Sequence, residues 1–302
     1  MRWQILRCRK AVKVCRPRRQ EEILGQILGS DTTRSVRQSC RVLGFRRQTY
    51  YHRKGGHRPE EADIALADLL HQITQRFVAW GFWKVFHYLR NMGHKENHKR
   101  VYRIWKQEKL HLRLPPRRTR IHRKYQRLLS PEKPNEGWAM DFVSDWVVGA
   151  QQKQVRIINI IDEGSRRALW TEAHKSISGK KLTEILDHVV EYRGKPAYIR
   201  CDNGPEFISQ KLELWAQEHQ IELRFIQPGK PSQNGLIERL NKTLRTECLN
   251  LCWFTSMEEL NEEIQSWSQV YNQLRPHENL GNKTPEQYET LNQNFYYSTV
   301  AA

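Results

Sequence analysis

Asp202 closes an apolar run, Ala197-Tyr-Ile-Arg-Cys201, and is followed at once by Asn203 and Gly204. A buried strand ending this way delivers a carboxylate to its C-terminal tip just before a turn. A second acid, Glu238, follows after 35 intervening residues, behind the breaker-rich loop Pro228-Gly-Lys-Pro-Ser-Gln-Asn-Gly235. A third, Asp141, sits upstream in the apolar run Trp138-Ala-Met-Asp-Phe-Val143. Three acids on separate elements suit divalent-metal chemistry on a phosphodiester. Mg²⁺ takes oxygen ligands and is usually held by a few carboxylates plus substrate phosphate. Two such ions, roughly 3.5–4 Å apart, activate an attacking oxygen and stabilise a leaving one. Two Mg²⁺ ions are therefore expected, with Mn²⁺ able to substitute.

The elements that must position these acids follow from periodicity. Ile237, Leu240, Leu244, Cys248 and Leu251 recur at helical spacing, which puts Glu238, Asn241, Lys242 and Arg245 on the neighbouring polar face. Upstream the pattern alternates, predicting strands at Trp138–Val143, Arg156–Asp162 and Ala168–His174 in an antiparallel meander. Ser178 caps a helix with Leu182, Ile185, Leu186 and Val189 on one side, stopped by Gly194 and Pro196. The Asp202 strand comes next, then a helix through Leu212, Trp215 and His219, the strand Ile221–Ile226 and the Glu238 helix. The order β-β-β-α-β-α-β-α predicts an α/β, RNase H-like core: a mixed five-stranded sheet with helices. Asp145, Asp162, Glu163 and Glu206 are expected to be structural. Ser256-Met-Glu-Glu259 reads as a capping box. It opens a helix with Leu260, Ile264, Trp267, Tyr271 and Leu274 on one face, to pack against the core or a second subunit.

The net charge of +18 is unevenly spread. Residues 1–130 hold 32 Lys and Arg against 9 Asp and Glu, and residues 131–302 hold 19 against 24. A basic first half on a mildly acidic second half reads as a nucleic-acid-binding arm on a metal-using core. Within the arm, Ser35–Leu43 is expected to be a helix with Val36, Cys40 and Leu43 inward. Gly44-Phe45 makes the turn, and Arg46–Tyr51 forms a second helix whose Arg46, Arg47 and Gln48 could read base edges in a major groove. A plain packing hairpin fits the same pattern. Residues 60–112 read as three helices. The third has Val101, Ile104 and Trp105 inside and Lys99, Arg100, Arg103 and Lys106 largely outside, and the aromatics around Trp80-Gly81-Phe82 are expected in the core. Leu114–Lys124 is a proline-broken basic linker suited to phosphates. The six cysteines show no disulfide spacing, and the default is reduced cytosol. His94 and His98 lack the downstream Cys pair of a zinc module. No apolar stretch of about 18 residues is present, so no membrane span is expected.

The linked motifs are recognisable together: Trp138-x-x-Asp141-Phe, Asp202-Asn-Gly-Pro-Glu-Phe207, and Gly229-Lys-Pro-x-Gln-Asn-Gly-x-x-Glu238 with Arg245 seven residues later. Tyr271-Asn272, Arg275-Pro276-His277 and Thr284-Pro285-Glu286 extend them. The chain resembles bacterial insertion-sequence transposases with a retroviral-integrase-like catalytic core, specifically the second-frame (orfB-type) protein of two-frame elements. The resemblance implies that Asp141 and Asp202 bind metal, that Glu238 completes the second ion's shell, and that Arg245 contacts DNA phosphate with Lys242 and Asn241 beside it. It further implies terminal-repeat binding, cleavage to a 3′-OH and strand transfer, first between the element's own ends to give a circular intermediate. Duplex DNA at the transposon ends and target, a homo-oligomer in a synaptic complex, and an upstream-frame (orfA) protein or fusion are the partners so implied, in a bacterial cytoplasm and at its nucleoid. Residues 1–20 carry eight Lys or Arg and no acid. A transit peptide has that composition, but the bacterial resemblance makes a frameshift junction the expectation.

The expected domains are a basic segment at 1–20, a helix-turn-helix at 21–56 and a second helical DNA-binding module at 57–113. A basic linker at 114–134, the catalytic core at 135–250 and a C-terminal helical subdomain at 251–302 complete the chain. Two other classes fit parts of the pattern: a DNA-binding regulator without catalysis, which has no need of three aligned acids, and a nuclease of DNA–RNA hybrids, for which the basic helical arm is superfluous.

Overall fold

The computed structural model describes residues 35–43, 46–48, 61–112, 131, 133–148, 152–204, 206–227 and 231–300. The chain divides into two compact units, Met1–Ala65 and Leu66–Ala302. In the first, α1 (Val36–Leu43) opens on a reciprocal cap. The Gln38 N–H donates to Ser35 Oγ at 3.3 Å, and the Ser35 N–H donates to Gln38 Oε1 at 3.2 Å. Cys40 is buried as expected, while Arg46, Arg47 and Gln48 are exposed. The turn at 44–45 and the rest of the expected second helix lie outside the described residues, as do residues 1–20 and the basic run Leu114–Lys124.

Three helices follow, α2 (Glu61–Arg76), α3 (Phe82–Asn91) and α4 (His98–Gln107). Leu70, Trp80, Val85, Leu89, Val101, Ile104 and Trp105 fill the space between them. Asn97 caps α4, its side chain accepting from the Lys99 N–H at 2.9 Å. Trp83, among the aromatics expected in the core, is instead 60% exposed, and Ile64 is 54% exposed. Both lie on helix faces turned away from the cluster, whose volume the other apolar side chains already occupy.

The sheet is built from β1 (Gly137–Val148), β2 (Gln152–Asp162), β3 (Ala168–His174), β4 (Tyr198–Cys201) and β5 (Glu222–Phe225), in the order β3-β2-β1-β4-β5. β1–β2 and β2–β3 are antiparallel, whereas β1–β4 and β4–β5 are parallel. The first two strands run longer than the alternating pattern implied. Helices α5 (Gly179–Arg193) and α6 (Gln210–Glu218) cover one face through Leu182, Ile185, Leu186, Val189, Leu212 and Trp215, against Trp138, Met140, Ile158 and Ile160. The opposite face carries Ala139, Val143, Val147, Val155, Ile157 and Ile161. It is covered by α7 (Gly235–Leu244) and α8 (Met257–Gln273). Asp141 shares the odd-numbered face with Ala139 and Val143, because side chains alternate along a strand, so it points toward α7.

The apolar spacing of the Glu238 helix ran on to Leu251, but α7 ends at Leu244 and widens into a π-type turn over Arg245–Leu249. That turn shifts the angular phase: Cys248 stays in the core, and Leu251 is 49% exposed. Helix α8, capped by Ser256 as expected, lies along the edge strand β3 of its own chain. Asn261 exchanges two hydrogen bonds with the Ala173 backbone, at 2.8 and 3.1 Å, and Asn272 does the same with Ala168, both at 2.9 Å. Eleven helical residues rise about 16.5 Å, and five strand residues advance about 16.5 Å. The two asparagines therefore coincide with the two strand positions and close an edge that would otherwise offer unpaired backbone groups.

Helix α9 (Pro285–Val300) starts on a Thr284–Gln287 reciprocal cap, with bonds of 3.1 and 3.2 Å. Its buried Glu289 receives Ser165 Oγ at 2.8 Å, Arg167 Nη1 at 3.0 Å and the Arg193 guanidinium. Among the described residues no helix is long and apolar enough to cross a membrane.

Candidate active site

β1 places Asp141 directly opposite Asn159 on β2. Asp141 Oδ1 accepts from the Phe142 N–H at 2.8 Å, and Oδ2 accepts from Asn241 Nδ2 at 2.7 Å. Asn241 Oδ1 in turn accepts from Asn159 Nδ2 at 2.7 Å. This chain of three side chains fixes which way the Asn241 amide faces, since an amide receiving on its oxygen must present its NH₂ to the carboxylate.

Asp202 sits just beyond Cys201, the last residue of β4. Its Oδ1 accepts from the Gly204 N–H at 2.9 Å, and a Cβ on Gly204 would fall 2.9 Å from that same oxygen. A side chain at this position would push the Asp202 carboxylate aside. Asn203 Nδ2 ties the turn to the Ile226 carbonyl at 2.9 Å. The turn before α7 is pinned by Arg200, whose Nη1 donates to the Gln233 carbonyl at 2.9 Å and whose Nε lies 3.3 Å from Glu163. Gln233 Oε1 also accepts from the Gln227 N–H at 2.8 Å. Glu238 is exposed in the first turn of α7.

The charges of Asp202 and Glu238 reach Asp141. Burial pushes the Asp141 carboxyl up to about 6, and the negative charges of Asp202 and Glu238 push in the same direction against its hydrogen bonds from Phe142 and Asn241. The Cys201 thiol is pushed up to about 12, chiefly by burial and then by the Asp202 charge. Among the described residues no three His, Cys, Asp or Glu side chains close up tightly enough to hold an ion unaided. Mg²⁺ does not require such a cage, because one or two carboxylates plus substrate phosphates usually suffice. A half-buried carboxylate whose ionisation is disfavoured first by burial and then by two neighbouring negative charges is a site that a divalent cation would relieve. The donor set fits the metal.

Of the remaining predicted residues, Arg245 donates from Nη2 to the Ser144 carbonyl at 2.8 Å, and Lys242 is exposed on the same helix. Lys99, Arg100 and Arg103 sit on α4 within the helical bundle, and Arg46, Arg47 and Gln48 belong to the first unit. Asp162 and Glu163 are buried in the network that anchors Asn135, Tyr198 and Arg200, and Glu206 pairs with Arg156. Sequence reasoning missed Asn159 and Arg200. Asn159 had a signal, being the one polar residue in Ile157-Ile-Asn-Ile-Ile161. Arg200 had none, since its partners lie 33 and 37 residues away.

Comparison with known proteins adds the following. An integrase core domain family model matches residues 131–231, and a second one, likewise described as integrase core domain, matches residues 219–285. An uncharacterised 39.2 kDa protein of insertion element IS476 from Xanthomonas euvesicatoria is 34% identical over 276 residues, covering 91% of this chain and 78% of the relative. The transposase InsD of insertion element IS2D from Escherichia coli is 22% identical over 283 residues, covering 87% of this chain and 90% of that one. Among solved structures, the HTLV-2 integrase catalytic core domain in complex with magnesium is 22% identical, covers 52% of this chain and 97% of its own, and superposes with a TM-score of 0.40.

Proposed function

Because the chain belongs to the bacterial insertion-sequence transposases with an integrase core domain, we propose that it binds the terminal repeats of an insertion sequence and catalyses metal-dependent DNA strand cleavage and strand transfer. An end is cut to leave a 3′-OH, and that hydroxyl attacks a second phosphodiester. In the transfer one P–O ester bond forms as another breaks, and the displaced strand leaves with its oxygen. The observation that carries this reading is the electrostatic junction of Asp141 with Asp202 and Glu238. Asp141, Asp202 and Glu238 would hold two Mg²⁺ ions, or Mn²⁺ in their place, supplying Lewis-acid stabilisation to the attacking and leaving oxygens.

The chain's own groups have separate tasks. Asn241 holds Asp141 in one orientation. Arg245, steadied by the Ser144 carbonyl, keeps further N–H groups for a DNA phosphate, with Lys242 as a point charge beside it. Arg46, Arg47 and Gln48 read base edges of the repeat, and Lys99, Arg100 and Arg103 hold its backbone. The working assembly is a homo-oligomer on paired ends and target, acting in the bacterial cytoplasm with an upstream-frame protein or as a fusion to it.

The test is strand joining on a duplex carrying the element's end, with Mg²⁺ or Mn²⁺. Asp202→Asn is expected to abolish joining while leaving end binding within about twofold. Arg46→Ala and Arg47→Ala are expected to weaken binding first. Joining by the Asp202 variant at the wild-type rate would remove the carboxylates from the mechanism.

A further inference from the structure

A cavity of 640 Å³ opens beside α3, the first turns of α7 and the segment that follows α8, lined by Trp83, Arg166, Arg239, Tyr271 and Asn282 among others. It is separate from the carboxylates yet adjoins them. Arg239 follows Glu238 in the chain, so their Cα atoms are about 3.8 Å apart and their side chains leave α7 about 100° apart.

Two features of the lining point to a ligand. The first is an excess of positive charge, which Glu163 and Asp162 offset only in part at Arg166. Lys84 and Arg275 both bind Glu247, at 2.6 and 3.0 Å, so that carboxylate is already occupied. Arg166 donates to the Glu163 carbonyl, while the Glu163 carboxylate serves Tyr198 at 2.6 Å and Arg200 at 3.3 Å. Arg166 Nε is buried with no hydrogen-bond partner among the described residues. Among those residues Arg239 also has neither ion pair nor side-chain hydrogen bond, and the one acid on the rim is Glu278. The second feature is Trp83, an indole 60% exposed at the cavity wall, backed by the His87 ring at 6.0 Å and 25°. An anion site beside an exposed aromatic face suits a phosphate joined to a planar ring.

We propose that this cavity takes one unpaired nucleotide, its base on the Trp83 indole and its phosphate between Arg239 and Arg166. Base–aromatic stacking tolerates any base, and guanidinium groups match phosphate geometry. The volume falls in the range of small-ligand clefts and is far too confined for a duplex. A frayed strand end and a free nucleoside monophosphate share this chemistry. The strand end is the source that rests on the strand-transfer reading, whereas the pocket itself does not.

Fluorescence anisotropy with the full chain in EDTA tests it, because no cleavage or joining proceeds there. The probes are a labelled blunt duplex and the same duplex with a two-nucleotide single-stranded tail. The tailed duplex is expected to bind about tenfold tighter. Trp83→Leu, which keeps apolar volume without a ring face, and Arg239→Gln should each remove most of that preference while blunt binding stays within about twofold. Displacement of the tail by deoxyadenosine monophosphate would assign the pocket to a free nucleotide, and resistance to it would assign the pocket to a strand end. Equal binding of tailed and blunt duplexes by the wild type, or an undiminished preference in both variants, overturns the proposal. Neither result bears on joining by the carboxylates, and an inactive triad would leave this binding difference in place.

Discussion

Asn159 shows how one buried side chain can hold the Asp141 carboxylate through an intermediary, Asn241. It is fully buried, gives its NH₂ to Asn241, and leaves its own Oδ1 without a partner among the described residues. Replacing it with leucine of similar volume removes an unsatisfied polar atom and a hydrogen bond together, so stability should change little. The Asn241 amide, however, loses what fixes its orientation, and Asp141 loses a steady donor. Asn159→Leu is expected to lower the joining rate of bound complexes about tenfold, roughly one hydrogen bond's worth, with end affinity and urea midpoint nearly unchanged. A parallel fall in midpoint would make the residue merely structural. Asp202 and Asp141 stood out because one ends an apolar run and the other interrupts one, and Glu238 because it follows a breaker-rich loop on the polar face of a helical pattern. Asn159 was visible as an interruption, but period-two spacing alone does not say what an interruption faces. Trp83 was misplaced for a related reason: in Phe82-Trp83-Lys-Val-Phe86 several aromatic positions can satisfy one buried helix face, and only packing decides which is left out.

At the scale of elements, the succession of strands and helices along the chain and the helix caps at Ser178 and Ser256 followed from pattern and capping chemistry. The end of α7 did not. Nothing like Pro or Gly marks Leu244, and the π-type turn at Arg245–Leu249 takes one more residue into each hydrogen-bonded turn, i→i+5 in place of i→i+4. The docking of α8 was also open between core and second subunit. Its answer lies in two asparagines whose partners are 88 and 104 residues away, beyond the reach of any periodicity. Each of Asn261→Leu and Asn272→Leu uncovers one backbone N–H and one C=O of β3. The expected cost is about 1–3 kcal/mol apiece, read from urea unfolding. Scattering on storage should rise as well, because a bared edge strand recruits others. A double variant as stable as the wild type would mean that water replaces the asparagines without loss.

Across the whole molecule, the basic first half and acidic second half were plain in composition. The way the helical bundle joins the sheet within Leu66–Ala302 was not. Lys84 and Arg275 converge on Glu247, and Val270 and Leu274 of α8 and its end pack against the bundle. Beside this junction His277 is buried against Tyr271, with ring centroids 4.7 Å apart, and burial followed by the Arg275 charge pushes its imidazole down to about 3. A base depressed in the folded state leaves the unfolded chain with the extra proton at pH values between about 3 and the ordinary 6.5. Stability contributed by this group is therefore whole above pH 6.5 and is lost as pH falls, by up to about 1.4 kcal/mol per pH unit. His277→Gln, which can still donate to the Tyr271 carbonyl, should flatten that slope. Urea midpoints at pH 7 and pH 5 for both proteins measure it, and identical slopes would show that the imidazole titrates normally.

The Asn261 and Asn272 contacts with β3 also bear on how this gene can vary. One codon inserted or deleted between those asparagines rotates one of them by about 100° and carries it off the strand, while no compensating change of a single codon in β3 restores the match, since a strand residue advances more than twice as far as a helix residue. The exposed positions of this stretch of α8 are therefore expected to tolerate substitution, whereas a change in its length is not.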